Sequence, residues 1–145
     1  MDIKKHIAAL GFVPKNGTNG IYHKIYVDYA IEIDFETQSI NYGSAITAES
    51  KTTQNFSQPE NFVVLECVDR LLTKGYKPQN IVLEKTWPSG HGTSGRLDIC
   101  VNREDGTPYM LIECKTFGKE YNKELARIRK DGGQLFTYFQ LSGGK

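Results

Sequence analysis

The sequence is short of the features that would place a chain in a special class. It has three cysteines in 145 residues, an odd number without the paired C-x2-C spacing of a zinc site, and far too few for a disulfide scaffold. Cys100 and Cys114 lie inside apolar, strand-like stretches. With Cys67 they are expected to be reduced cysteines packed as small hydrophobes, which suits a reducing, cytoplasmic location. No run approaches the roughly 18 apolar residues of a membrane span, and the polar start MDIKKHIAAL is not a secretory leader, so no membrane association is expected. Charge of one sign is also lacking: 18 Lys and Arg against 17 Asp and Glu give a formal net charge of +1. That excludes a domain-wide basic footprint, so nucleic acid would have to be met by a local patch. There is no internal repeat or low-complexity tract.

What is present describes an ordinary soluble domain. A hydrophobic content of 39% with 24% charged residues separates it from disordered chains. A chain of this length buries roughly 68–70% of its unfolded surface, enough for one core without staples. Residues 2–10 read as a short helix with Ile3, Ile7, Ala8 and Leu10 as its apolar side, stopped at Gly11. Residues 21–33 alternate and are rich in Tyr, Ile and Val, which predicts strands, and Gln38 to Tyr42 offers a further pairing element. The Ser/Thr/Gln/Asn-rich stretch 44–58 reads as a connection. Pro59 then opens the helix PENFVVLECVDRLLTKG, with proline in the first turn and Gly75 as the stop.

A strand is expected around Ile81–Lys85, followed by a glycine-rich loop from Pro88 to Gly95. The strand RLDICV, a polar turn at 102–108 and the strand YMLIECK come next. A basic helix over about 119–130 follows. Asp131-Gly-Gly-Gln134 should break it and cap another. The end at LSGGK reads as the cut edge of something longer. The expected division is a β-rich element over 1–58 and a core over 59–145 within a single domain.

Chemistry concentrates in the two strands around the polar turn. Strand alternation puts Leu97, Ile99 and Val101 on one face and Asp98 and Cys100 on the other, and makes Glu113 and Lys115 point the same way. If Asp105-Gly106 centre the turn, Asp98 stands directly opposite Glu113; a wider loop through 102–107 could shift the register by one and separate them. In the aligned register two carboxylates face each other at about 5 Å, destabilising unless a cation lies between them. Lys115 can offset one charge and a divalent metal both, and carboxylate oxygens are the ligands Mg2+ prefers. The bland alternative is Asp98 at a solvated strand end and an ordinary Glu113–Lys115 salt bridge. Against it, both acids interrupt apolar strands, where an unpaired charge is costly.

Within the 59–74 helix the apolar set Val64, Leu65, Val68, Leu71 and Leu72 sets the core direction. Glu60 then falls near the core edge, a candidate third carboxylate, or simply a favourable charge at a helix N-terminus; Glu66 points towards solvent. Lys119, Lys123 and Arg127 form one positive stripe, either a solvated, salt-bridged face or a set of phosphate contacts. Gln134 and Tyr138 share a face, as DNA contacts or as a helix-packing pair. The loop PSGHGTSGR lacks the GK[ST] ending of a P-loop. His91 within it, a lone loop histidine, is weak evidence for a ligand, and the neighbouring Trp87 offers a stacking platform or, by default, a core aromatic.

The succession PENFVVLECVDRLLTKGY, IVLEK, GRLDICV, YMLIECKT and GGQLFTYF resembles the PD-(D/E)XK nuclease domain. The resemblance is closest to the N-terminal nuclease domain of the R subunit of type I restriction enzymes and of related single-chain restriction-modification proteins. It covers about residues 59–140. It implies a mixed sheet of four or five strands flanked by helices, here with an N-terminal β-rich extension, and Mg2+-dependent hydrolysis of DNA to 5′-phosphate and 3′-hydroxyl ends. It further implies that Asp98 and Glu113, joined in many members by a residue matching Glu60, bind Mg2+ or Mn2+, and that Lys115 positions or activates the attacking water. Gln134 and Tyr138 match the Q-x-x-x-Y element associated with DNA binding or cleavage. Leu97 stands where the family's name has proline, a position at which this branch varies. Partners implied are DNA and motor, methyltransferase and specificity regions or subunits, with ATP relevant only where a motor region follows. The competing expectation is a catalytically inactive nuclease-fold module that binds DNA or a partner.

Overall fold

The structure, a computed structural model, describes residues 2–89, 92–93, 95–116 and 123. Helix α1 (Ile3–Ala9) starts at Asp2, whose carboxylate accepts the Lys5 backbone N–H at 3.2 Å. It stops at Gly11, which adopts φ 98°. The N–H groups of Gly11 and Phe12 turn back to the carbonyls of Ala8 and Ile7, the Schellman closure that satisfies a helix's open carbonyls. Ile7 is fully buried, whereas Ala8, expected on the apolar side, is exposed.

Strands β1 (Val13–Pro14), β2 (Ile21–Tyr26), β3 (Tyr29–Asp34) and β4 (Ser39–Asn41) form an antiparallel sheet in sequence order. Alternation sends Ile31, Ile33 and Ile40 into the core, as a half-buried sheet requires. The 44–58 stretch is more than the connection expected from its composition. It contains β5 (Thr47–Ala48), which pairs parallel with the strand at 81–85, and Asn55 bridges to Ser39. A two-residue edge strand has no periodicity to detect, because its neighbour's ladder supplies its order.

Helix α2 (Glu60–Thr73) runs as expected, although Pro59 occupies the cap position itself. Asn61 fixes its start by donating to the carbonyl of Asn55 at 2.9 Å. Gly75, φ 97°, ends it with a second Schellman closure, Gly75 and Tyr76 donating to Leu72 and Leu71. Its buried face presents Phe62, Val64, Leu65, Val68, Leu71 and Leu72, each such side chain contributing roughly 1.5–3 kcal/mol relative to exposure.

A 3-10 turn (Pro78–Asn80) leads to β6 (Ile81–Lys85). The glycine-rich loop carries a small hairpin, β7 (Pro88–Ser89) with β8 (Gly92–Thr93), and then come β9 (Leu97–Asn102) and β10 (Pro108–Ile112). The second sheet has the order β10-β9-β6-β5, parallel at β5/β6 and antiparallel elsewhere. The architecture is therefore α/β, with a mixed sheet and flanking helices beside an N-terminal antiparallel sheet.

One core spans α1, both sheets and α2, from Ile7, Ile31, Ile33 and Ile40 through Phe62, Leu65 and Val68 to Ile81, Leu83, Ile99 and Val101. A chain of rings, Tyr22, Phe35, Phe56 and Phe62, edge-on at the first two contacts and tilted at the third, with 5.3 Å between successive centroids, ties the first sheet to α2. The buried Asp69 of α2 adds a polar tie, accepting from Lys24 Nζ and Tyr26 Oη, each at 2.6 Å. Among the described residues no helix is long and apolar enough to cross a membrane. The expected basic helix over 119–130 and the capped segment after it lie outside the described residues, apart from Lys123.

Candidate functional site

The β9–β10 connection decides which acids meet. Its loop is wider than a two-residue turn: Asn102 pairs with Pro108, and the Arg103 and Thr107 backbones close the loop at 2.8 Å. A one-residue irregularity between Pro108 and Met110 then absorbs the difference. The pairs that follow, Met110–Val101, Leu111–Cys100 and Ile112–Ile99, are those of a turn centred on Asp105-Gly106. A bulge has restored the register that the wider loop would have shifted.

Two expectations about these strands need correction. The strand YMLIECK does not run through Lys115; β10 ends at Ile112. In place of a further ladder bond, Asp98 Oδ2 accepts the Cys114 backbone N–H at 2.7 Å, so a side-chain carboxylate replaces the carbonyl that would have prolonged the strand. Nor does Leu97 share a face with Ile99 and Val101. It packs with Cys100, Val82, Trp87 and Leu111 in a separate small cluster. The break in alternation coincides with Glu84, opposite Asp98 on β6, whose φ of 55° departs from strand geometry.

Asp98 thus clamps the backbone between Glu113 and Lys115, and these two side chains point the same way, Lys115 Nζ lying 3.4 Å from Glu113 Oε1. The pair is not a surface salt bridge, since only 22% of the Lys115 side chain and 9% of that of Glu113 are exposed. Burial pushes the Asp98 carboxyl up to about 6; the Cys114 N–H pulls it down, Glu60 and Glu84 add to the rise, and Lys115 opposes it. Burial also works against the Lys115 ammonium, but Glu113, Glu60 and Asp98 outweigh it and raise its pKa above the ordinary lysine value. Glu60, half-buried at the first position of α2, therefore acts on both groups. Glu66 does not take part: it pairs with Arg70 one turn along the helix.

A donor set made of carboxylate oxygens under surplus negative charge suits a hard divalent cation. Among the described residues no three His, Cys, Asp or Glu side chains stand close enough to enclose an ion. An ion held there would have to take its remaining ligands from water or phosphate oxygens, as Mg2+ commonly does.

Three features of the surroundings were missed in the sequence. Glu84 is buried among the hydroxyls of Thr52 and Thr53 and the guanidinium of Arg96; its signal, an acid interrupting the apolar strand IVLEK, was the one that flagged Asp98. Arg96 gave no signal. Cys67 and Cys114, free thiols, lie Sγ to Sγ at 3.8 Å. The contact with Cys114 lowers the Cys67 thiol to about 7 and, with burial, raises that of Cys114. Among the remaining candidates, Lys123 is helical and exposed, while Lys119, Arg127, Gln134, Tyr138 and His91 lie outside the described residues. Trp87 is half-buried against the Leu97–Cys100 cluster, with Lys85 Nζ 5.7 Å from its ring centre.

In comparisons with known proteins, the model of the family described as the type I restriction enzyme R protein N terminus matches residues 59–139. No individual curated protein matches.

Proposed function

The chain belongs to the type I restriction enzyme R protein N-terminus family, and from that premise we propose that it carries a Mg2+-dependent endonuclease site of the PD-(D/E)XK kind. Membership gives a role in restriction-modification, with DNA and the other restriction-modification subunits as partners. The finer reading is hydrolysis of DNA phosphodiester bonds at Asp98, Glu113 and Lys115. Its strongest support is the clamp of Asp98 on the Cys114 N–H, which joins one carboxylate to the strand end bearing the other two groups.

Asp98 and Glu113, with Glu60 at the edge, would hold Mg2+ or Mn2+. Such an ion polarises a phosphate oxygen and lowers the pKa of bound water. Lys115, charged at neutral pH, donates hydrogen bonds towards the attacking water or the oxygens that gain charge in the transition state. Glu113 keeps that ammonium oriented. Burial limits competing water around the pair, which strengthens each of these interactions. Lys119, Lys123 and Arg127 are assigned to phosphate contacts, and Gln134 and Tyr138 to the DNA close to the cut.

Calorimetric titration of Mg2+ and Mn2+ into the chain and into Asp98→Ala tests the reading. Binding that disappears with the substitution supports it. An intact chain that binds DNA and takes up neither ion overturns it in favour of a non-cutting binding module.

A further inference from the structure

Arg96 precedes Asp98 by two residues and is held by three acceptors from two other segments. Its Nη1 donates to Ser50 Oγ at 2.9 Å, to Thr52 Oγ1 at 3.4 Å and to Glu84 Oε1 at 3.5 Å. Among the described residues these bonds all run through one nitrogen of a group with five N–H donors. The Arg96 side chain is 52% exposed, whereas that of Glu84 is 4% exposed. The cluster is thus anchored at its buried end and open at the other.

Glu84 is held to this task at some cost. A φ of 55° in a strand is a conformation that a non-glycine residue adopts only when its surroundings impose it, at about 1–3 kcal/mol. Thr52 and Thr53, from the segment before α2, complete the hold on its carboxylate. Across the sheet its charge adds to the rise of the Asp98 pKa, so Glu84 makes the carboxylate site more negative. A polyanionic substrate approaching Glu60, Glu84, Asp98 and Glu113 needs a cation placed to receive it. Of the described cationic groups at the site, Lys115 is turned to Glu113 and largely buried, while Arg96 stands half in solvent.

We propose that Arg96 is a phosphate-contacting residue, with Glu84 as the residue that positions it, and that its ligand is a backbone phosphate of the nucleic acid next to the one cut. The inference rests on the nuclease reading and adds a contact to it. Guanidinium matches phosphate through two parallel N–H bonds, and the bonds to Nη1 leave Nη2 and Nε to form that fork. Fixing the side chain beforehand removes part of the ordering cost of binding. Thr52 and Ser50 tie the segment before α2 to substrate contact.

The alternative is that Arg96 only neutralises Glu84, and the salt dependence of binding separates the two. Affinity of the chain for a short DNA duplex, in Ca2+ to suppress cleavage, is measured by fluorescence anisotropy across a NaCl series. The proteins are the native chain, Arg96→Gln, Glu84→Gln and the double variant. Removing one phosphate-binding cation lowers the slope of log K against log salt by about 0.9. The expected result is that reduction in Arg96→Gln and in the double variant; Glu84→Gln, which keeps the cation but loses its anchor, should keep the native slope and bind more weakly at each salt concentration. The double variant leaves no buried carboxylate unpaired, so it still answers if Arg96→Gln fails to fold. Native slopes in every folded variant overturn the inference and leave the nuclease reading standing. A native chain that binds neither duplex nor metal overturns both.

Discussion

Replacing Asp98 by Asn should make the metal-free protein more stable while abolishing the metal binding proposed for it. The folded carboxyl titrates near 6 because burial and the neighbouring Glu60 and Glu84 disfavour its charge, whereas an unfolded aspartate titrates near 3.9. Between these values the folded state holds more protons than the unfolded one. Stability contributed by this group is therefore complete below about pH 4 and is lost as pH rises through about 6. Two pKa units at 1.36 kcal/mol each give about 3 kcal/mol, an order-of-magnitude ceiling. The amide side chain of the Asp98→Asn variant would keep an oxygen for the Cys114 N–H and carry no charge. The gain over wild type should be near zero at pH 4 and grow to about 1–3 kcal/mol by pH 7, read from urea denaturation midpoints at fixed slope. Adding Mg2+ should stabilise the native protein, by about 2.7 kcal/mol at a hundredfold excess over Kd, and leave Asp98→Asn unmoved. A variant less stable than wild type at pH 7, or a gain that does not depend on pH, would refute the account of Asp98 as a strained ligand.

On the proposed nuclease reading, Lys115→Met should reduce DNA cleavage at least a hundredfold. Because Lys115 opposes the rise at Asp98, its loss should also move the onset of Mg2+ binding to higher pH, visible by calorimetry from pH 5 upwards. Asp69→Ala leaves Lys24 without its carboxylate partner at a site where 23% of the lysine side chain is exposed. Chemical denaturation should show a loss of about 2–3 kcal/mol, below the full cost of an uncompensated buried charge. Gly43→Ala would place a Cβ 2.4 Å from Tyr29 Oη at a φ of 78°, and the melting curve should register a loss of about 2 kcal/mol or more.

Much of the fold could be read from the sequence, because its longer elements bury one face along their whole length. Helix α2 combines an apolar stripe with Gly75, and β6 is a short apolar run with turn residues before and after it, so period and punctuation agree. The parts that escaped owe their order to something distant. Thr47 and Ala48 become a strand because Val82 and Leu83 lie alongside them. Ala8 is exposed because α1 meets the core through Ile3, Ile7 and Leu10, with Phe12 closing behind it, a matter of docking angle rather than of sequence.

The candidate site was legible to the extent that it depends on strand spacing. Glu113 and Lys115 are two apart, and any extended backbone points them the same way. The approach of Asp98 to the backbone between them hung on register, and register hung on a bulge at Tyr109 that nothing in the polar run 102–108 announces. The clamp itself contradicts the rule used to find it. Asp98 reaches Cys114 because the ladder stops at Ile112, and alternation fails at Leu97 where Glu84 leaves strand geometry on the neighbouring strand. Both departures occur beside the acids. A regular ladder would have paired these backbones with each other and left the carboxylates to repel across it. Ending it there frees a backbone N–H for Asp98, and the turn of Glu84 out of strand geometry on the neighbouring strand accompanies its contact with Arg96.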